Sequence, residues 1–184
     1  MRRKYWLWGL ILVIAGAALF GGLAGCSTTH PNRNPVGEPF PSVTGETLEE
    51  EAVQLPAHFA GRTVVLLLGF RMNSQFDIDR WLIGLDMTGT RVDVYELPTI
   101  AGLFPRFFKP YIDEGMRKGI PKELWKGVIT IYAGGDQVQK FTGNENPNNA
   151  RVIVLGPGGK ALFFHDRGFS VGALNALREV VGEG

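Results

Sequence analysis

The sequence predicts a three-layer α/β fold, in which a central mixed sheet lies between helices and ends in a C-terminal β-hairpin and a terminal helix. Three observations carry that prediction. "TVVLLLGF" (63–70) and "GVITIYAG" (127–134) are unbroken apolar runs, the pattern of strands covered on both faces. The first run leads directly into residues with helical spacing. "ARVIVLG" and "KALFFHDRG" flank "PGG" (157–159) as the arms of a hairpin, and a last helical stretch follows.

The elements follow in chain order from Leu48. After the first core strand, Asn73 or Ser74 is placed to cap a helix. Ile78, Trp81, Leu82 and Leu85 fall at i, i+3, i+4 and i+7 and form its inner stripe, while Asp77, Asp79 and Arg80 should face solvent. "RVDVYEL" (91–97) alternates as a second strand. "GLFPRFFKPYIDEGMRKG" (102–119) is helical by the spacing of Phe104, Phe107, Phe108 and Tyr111. Pro105 suits the start of that helix, whereas Pro110 should kink or break it. The stretch of about 102–126 is thus a helical insertion between the second and third core strands. In "SVGALNALREVV" (170–181), Ser170 caps a helix whose inner stripe is Val171, Leu174, Leu177 and Val181.

That order of elements resembles the thioredoxin fold, with parallel strands joined by right-handed crossovers and an antiparallel hairpin to finish. The entry "VGEPFPSVTGETLEEEAVQLPAHFAGRTVVLLLGF" is similar to that of peroxiredoxin-like and periplasmic thioredoxin-like domains. The resemblance implies a nucleophilic Cys at the strand-to-helix turn, its pKa lowered by the helix terminus, a resolving Cys three residues later, and a cis-Pro before the hairpin strand. The matching positions hold Gln75, Ile78 and Ala150. None supplies a thiolate, and a cis bond before a non-proline costs about 2.5–4 kcal/mol, so Ala150 should be trans. The expectation is a degenerate redox site, and not an enzyme. An enzyme of the peroxiredoxin or thiol oxidoreductase kind, acting through an atypical site, is the alternative.

Residues 103–127 stand out for another reason. Phe104, Phe107, Phe108, Tyr111 and Trp125 are interleaved there with Arg106, Lys109 and further basic groups. Aromatics mixed with Arg suit a partner-binding surface, set against the plainer reading of one core face and one solvated face. "LPTIAGLFPRFFKPYIDEGMRKGIPKELWKGVITIY" and "VIVLGPGGKALFFHDRGFS" resemble the thioredoxin-like family of mitochondrial ATP-synthase assembly factors and its bacterial relatives. That resemblance, over about residues 40–180, implies a domain without a dithiol pair that acts by binding protein.

The amino terminus departs from a mitochondrial setting. "MRRK" precedes a run of twenty-two residues without charge that ends in Leu23, Ala24, Gly25 and Cys26. A basic start, an apolar run and small residues make a secretory signal. "LAGC" resembles the lipobox of bacterial lipoproteins, which implies diacylglycerol on the Cys26 sulfur and cleavage before it. Residues 1–25 are then a signal peptide, 26–45 a tether and 46–184 the domain. An uncleaved apolar anchor is the competing reading, and both put the domain outside the cytoplasm. By the same resemblance, Ser27 after the Cys favours an outer membrane. Cys26 is the one cysteine of the chain, so an internal disulfide is excluded.

Charge excludes one class of partner. The formal net charge is +1, and removing residues 1–25 leaves 16 basic and 18 acidic side chains, net −2, which gives no case for nucleic acid. The membrane, through lipid on Cys26, and one or more envelope proteins are the partners expected. No cofactor is expected and no metal spacing appears. "GPGGK" (156–160) is a hairpin turn, not a phosphate loop. His30 reads as a solvated tether residue and His165 as an exposed strand residue whose neighbour Asp166 points to the other face.

Overall fold

A computed structural model describes residues 28–101 and 105–182, with only the backbone of 105–108. Its strands are β1 (Val43–Thr47), β2 (Ala52–Leu55), β3 (Val64–Gly69), β4 (Asp93–Pro98), β5 (Ile129–Thr130), β6 (Arg151–Leu155) and β7 (Ala161–His165). Its helices are α1 (Gln75–Met87), α2 (Pro105–Gly119), α3 (Gly135–Thr142) and α4 (Val171–Gly182).

The sheet grows from β3, whose apolar run leaves no face for solvent. Val64, Leu66 and Leu68 enter one core with Leu97, Ile129, Ile131, Val138 and Phe141. Val65 and Leu67 enter the other with Ile78, Trp81, Leu85, Leu174 and Leu177. Each such side chain contributes roughly 1.5–3 kcal/mol of burial. β3 pairs β4 in parallel and β6 antiparallel, and β6 pairs β7 antiparallel, in the order β4-β3-β6-β7. A second sheet, β2-β1-β5, joins this one through parallel bridges from Glu96 to Val128 and from Thr99 to Ile131. The two sheets therefore form one twisted ribbon, with α1 and α4 on one face and α3 on the other. No helix among the described residues is long and apolar enough to cross a membrane.

Several expectations need correction. The predicted domain boundary at 45/46 falls inside β1, while the later half of the tether lies against the domain as its composition suggests, with Pro35, Phe40 and Val43 buried. The strand expected at 127–134 shrinks to Ile129–Thr130, flanked by single bridges at Val128 and Ile131, and Gly134 turns left-handed (φ 84) to open α3. α3 itself was not expected, since only Val138 and Phe141 mark its inner face. α2 continues through Pro110. The proline forfeits one rung, to the carbonyl of residue 106, while side-chain ties further along hold the helix in place.

Candidate functional site

The carboxyl ends of β3 and β4 and the amino end of α1 meet at the strand-to-helix turn, where α2 forms the facing wall. Between them lies a cleft of about 1120 Å³. Phe70, Met72, Ile78, Ile100, Ile112 and Met116 give it an apolar lining, and Ser74, Gln75, Thr99 and Gln139 add polar groups. Concave, mainly apolar sites at strand ends are the usual form of a ligand site.

The three positions at which thiol chemistry was sought sit at or beside this cleft, and each is otherwise occupied. The Gln75 amide nitrogen donates to Asp79 Oδ1 (2.9 Å) and to Glu96 Oε2 (3.2 Å). Ile78 is buried in the core against α4. Ala150 has a trans bond before it, since the single cis bond among the described residues is Leu55–Pro56. Its N–H donates to Asp77 Oδ2 (2.9 Å). Ser74 opens α1 but makes no side-chain cap, because a 3₁₀ turn (Met72–Ser74) leads into the helix and its hydroxyl donates instead to the Arg71 carbonyl (2.6 Å).

Burial pushes the Glu96 carboxyl up, with the charge of Asp79 adding to the shift and the Gln75 hydrogen bond opposing it. A carboxyl raised on folding stabilises the protein below the ordinary carboxylate range, and that contribution is lost as pH rises through the folded value. Glu96→Gln should therefore raise the urea midpoint at pH 7 and leave it unchanged near pH 3.5. An equal effect at both values would refute this account.

Asp77 contradicts its expected solvent position. It is buried, its second oxygen accepts the Phe169 N–H (2.7 Å), and it so ties α1 to both the start of β6 and the approach to α4. Arg151, next to Ala150, is also buried. It donates to the carbonyls of Asn146 (2.5 Å) and Asn149 (2.9 Å) and stacks on Phe70 at 4.9 Å. Burial pushes its pKa down, and its Nε has no partner among the described residues.

The proposed recognition surface divides. Lys109 is not free: its ammonium donates to Glu46 (2.5 Å) and to buried Asp113 (2.9 Å), and Asp113 accepts the Tyr132 hydroxyl (2.6 Å). These ties seat α2 on β1 and on Tyr132, two residues past β5. Trp125 is half-buried, donates to the Ile120 carbonyl (2.9 Å) and lies under the Arg117 guanidinium at 5.7 Å. Tyr111 alone of the described candidates is exposed, and it lines the cleft. Phe104 and the side chains of Arg106, Phe107 and Phe108 lie outside the described residues, as do Leu23, Ala24, Gly25 and Cys26. His165 is half-buried on Trp81 and shares a 2.7 Å hydrogen bond with the Gly168 carbonyl, so it is not the exposed residue expected.

This architecture is that of a thioredoxin-like protein, and solved structures bear it out at the level of fold. The thioredoxin domain of a thiol-disulfide oxidoreductase from Bacteroides vulgatus superposes with a TM-score of 0.54 at 16% identity, over 81% of this chain and 99% of that one. A thiol peroxidase from Chromobacterium violaceum gives 0.57 at 11% identity, over 85% and 91%. A SCO1/SenC family lipoprotein from Bacillus anthracis gives 0.55 at 9%, over 83% and 98%. No protein-family model and no curated protein matches the chain.

Proposed function

We propose that this chain is a lipid-anchored, extracytoplasmic thioredoxin-like protein that works by binding, as an assembly or holding factor for envelope proteins, without thiol chemistry. The observation that carries the reading is the occupancy of the redox positions. Gln75 is tied to two carboxylates, Ile78 is in the core, and the Ala150 N–H is committed to Asp77. The one sulfhydryl of the sequence stands at Cys26, where "LAGC" supports acylation, and a thioether sulfur is no nucleophile. What the cleft offers instead is an apolar trough with a few hydrogen-bonding groups, which suits a bound segment of another protein.

The decisive experiment is turnover by the purified protein. Reduction of insulin disulfides by dithiothreitol and consumption of hydroperoxide should both run at the uncatalysed rate. Catalysis above background in either assay would overturn the reading in favour of an atypical thiol-family enzyme. Mass spectrometry of the mature amino terminus should find diacylglycerol on Cys26.

A further inference from the structure

The first described residues are not a loose leader. Asn144 Nδ2 donates to the Thr28 carbonyl (3.0 Å), and Asn144 Oδ1 accepts the His30 N–H (2.7 Å). The Asn144 N–H donates back to the His30 carbonyl (3.0 Å), and the Arg33 N–H donates to Thr142 (3.3 Å). This strip runs past the cleft, and Thr29 forms part of its wall. Cys26 stands two residues before Thr28, so its Cα lies within about 7.6 Å of the Thr28 Cα by chain geometry. Whatever is attached to Cys26 is therefore delivered to the mouth of the cleft, not to a point twenty residues away.

Large apolar groups at this cleft are left uncovered by the described residues. Met72 is 94% exposed and Tyr111 81%, both on the cleft wall, and Phe76, 71% exposed, follows Met72 by one helical turn. Met72 and Tyr111 stand on the walls of one cleft and Phe76 lies four residues beyond Met72, and large exposed apolar groups gathered in this way mark an interaction surface. The charges around the cleft cancel, Arg71 and Lys118 against Glu114 and Glu145. A nucleic acid or an anionic headgroup would find no field to attract it, whereas an apolar layer needs none.

We propose that this rim docks on the lipid bilayer: with the acyl chains of Cys26 inserted, Met72, Phe76 and Tyr111 enter the interfacial layer and the cleft opens toward the membrane. The inference rests on the anchoring of Cys26 proposed above. The occupant is the bilayer because only three residues of chain separate Cys26 from Thr29 on the cleft wall, so the acyl chains hold the headgroup plane at the cleft. Apolar faces that rest on a membrane sink about 5–10 Å into the headgroup region, and tyrosine favours that depth.

Acylation leaves the protein without a free thiol, so Met72→Cys, Phe76→Cys, Tyr111→Cys and, as a control, Met87→Cys each carry one reactive sulfur. Met87 is 82% exposed at the far end of α1. The full-length protein is extracted from membranes, labelled with nitrobenzoxadiazole and reconstituted in phosphatidylcholine vesicles. The dyes at 72, 76 and 111 should shift to the blue and be quenched several-fold more by spin-labelled lipid than the dye at 87, equally in low and high salt. Aqueous spectra at all three positions, with the protein still on the vesicles, would overturn docking and leave anchoring intact. Shifts that follow protein density instead of lipid would overturn it in favour of a second copy. Uptake of label by the wild-type protein would show Cys26 free, and the anchoring itself would fall.

Discussion

Asp77→Ala should lower the unfolding free energy by about 2–5 kcal/mol in urea titrations followed by the fluorescence of buried Trp81. The size follows from geometry. Each carboxylate oxygen of Asp77 accepts a main-chain N–H, one from Ala150 and one from Phe169, across sequence separations of 73 and 92 residues. Truncation leaves two donors short of a partner, the Ala150 N–H fully buried, where each lost partner costs about 1–3 kcal/mol. It also frees the approach to α4, whose Leu174 and Leu177 cover the α1 side of the sheet. Asp77→Asn keeps one acceptor oxygen and should lose roughly half as much. If the alanine variant unfolds within 0.5 kcal/mol of wild type, Asp77 is not the clamp described. Its position matters for the cleft because it holds α1, whose amino end carries Ser74, Gln75 and Ile78 of the cleft wall, against the start of β6.

Legibility in the sequence followed a physical divide. β3 was readable because a strand covered on both faces has no polar alternation, and six consecutive apolar residues state that directly. The stripe of Ile78, Trp81 and Leu85 was readable because helical period and burial coincide, and all three are buried. The hairpin between β6 and β7 was readable from its turn glycines. Asp77 was not, because on a helical wheel it belongs with Asp79 and Arg80, and its partners are backbone groups that no residue type announces. Lys109 and Trp125 misled for a related reason: composition does not distinguish an internal ion pair from a surface charge. Lys109 is spent on Glu46 and Asp113, and Trp125 on Ile120, so the aromatic and basic cluster is in part the seat of α2. The order of elements alone matches Gln75, Ile78 and Ala150 to the dithiol and cis-Pro positions of the resembled fold, whereas their partners Asp79, Glu96 and Asp77 carry no sequence signal.

The strip at residues 28–33 was read as tether because Pro, Asn and Thr there carry no periodicity, and its recognition by Asn144 spans more than a hundred residues. Gly143 is the hinge of that recognition. Its φ of 77 lies in the left-handed region, and a Cβ there would overlap the Asn32 Cα and the Pro31 carbonyl. Gly143→Ala should thus expel the strip, and because Gly143 also closes α3 it should lower the urea midpoint modestly through backbone strain. Trypsin should then cut after Arg33 at least tenfold faster than in wild type. Asn144→Ala, which removes side-chain bonds without strain, should move proteolysis in the same direction. Unchanged cleavage in both variants would mean that the strip is held by other contacts. Under the anchoring proposed above, release has a defined consequence. The next fixed point is Gly37, whose N–H donates to the Ala161 carbonyl (2.8 Å), so the leash from Cys26 grows to eleven residues. Its reach rises from about 7.6 Å to about 36 Å. The acyl chains would still hold the molecule on the membrane, but the cleft mouth would no longer be pressed to it, and a dye at position 72 should return to water in the Gly143→Ala background.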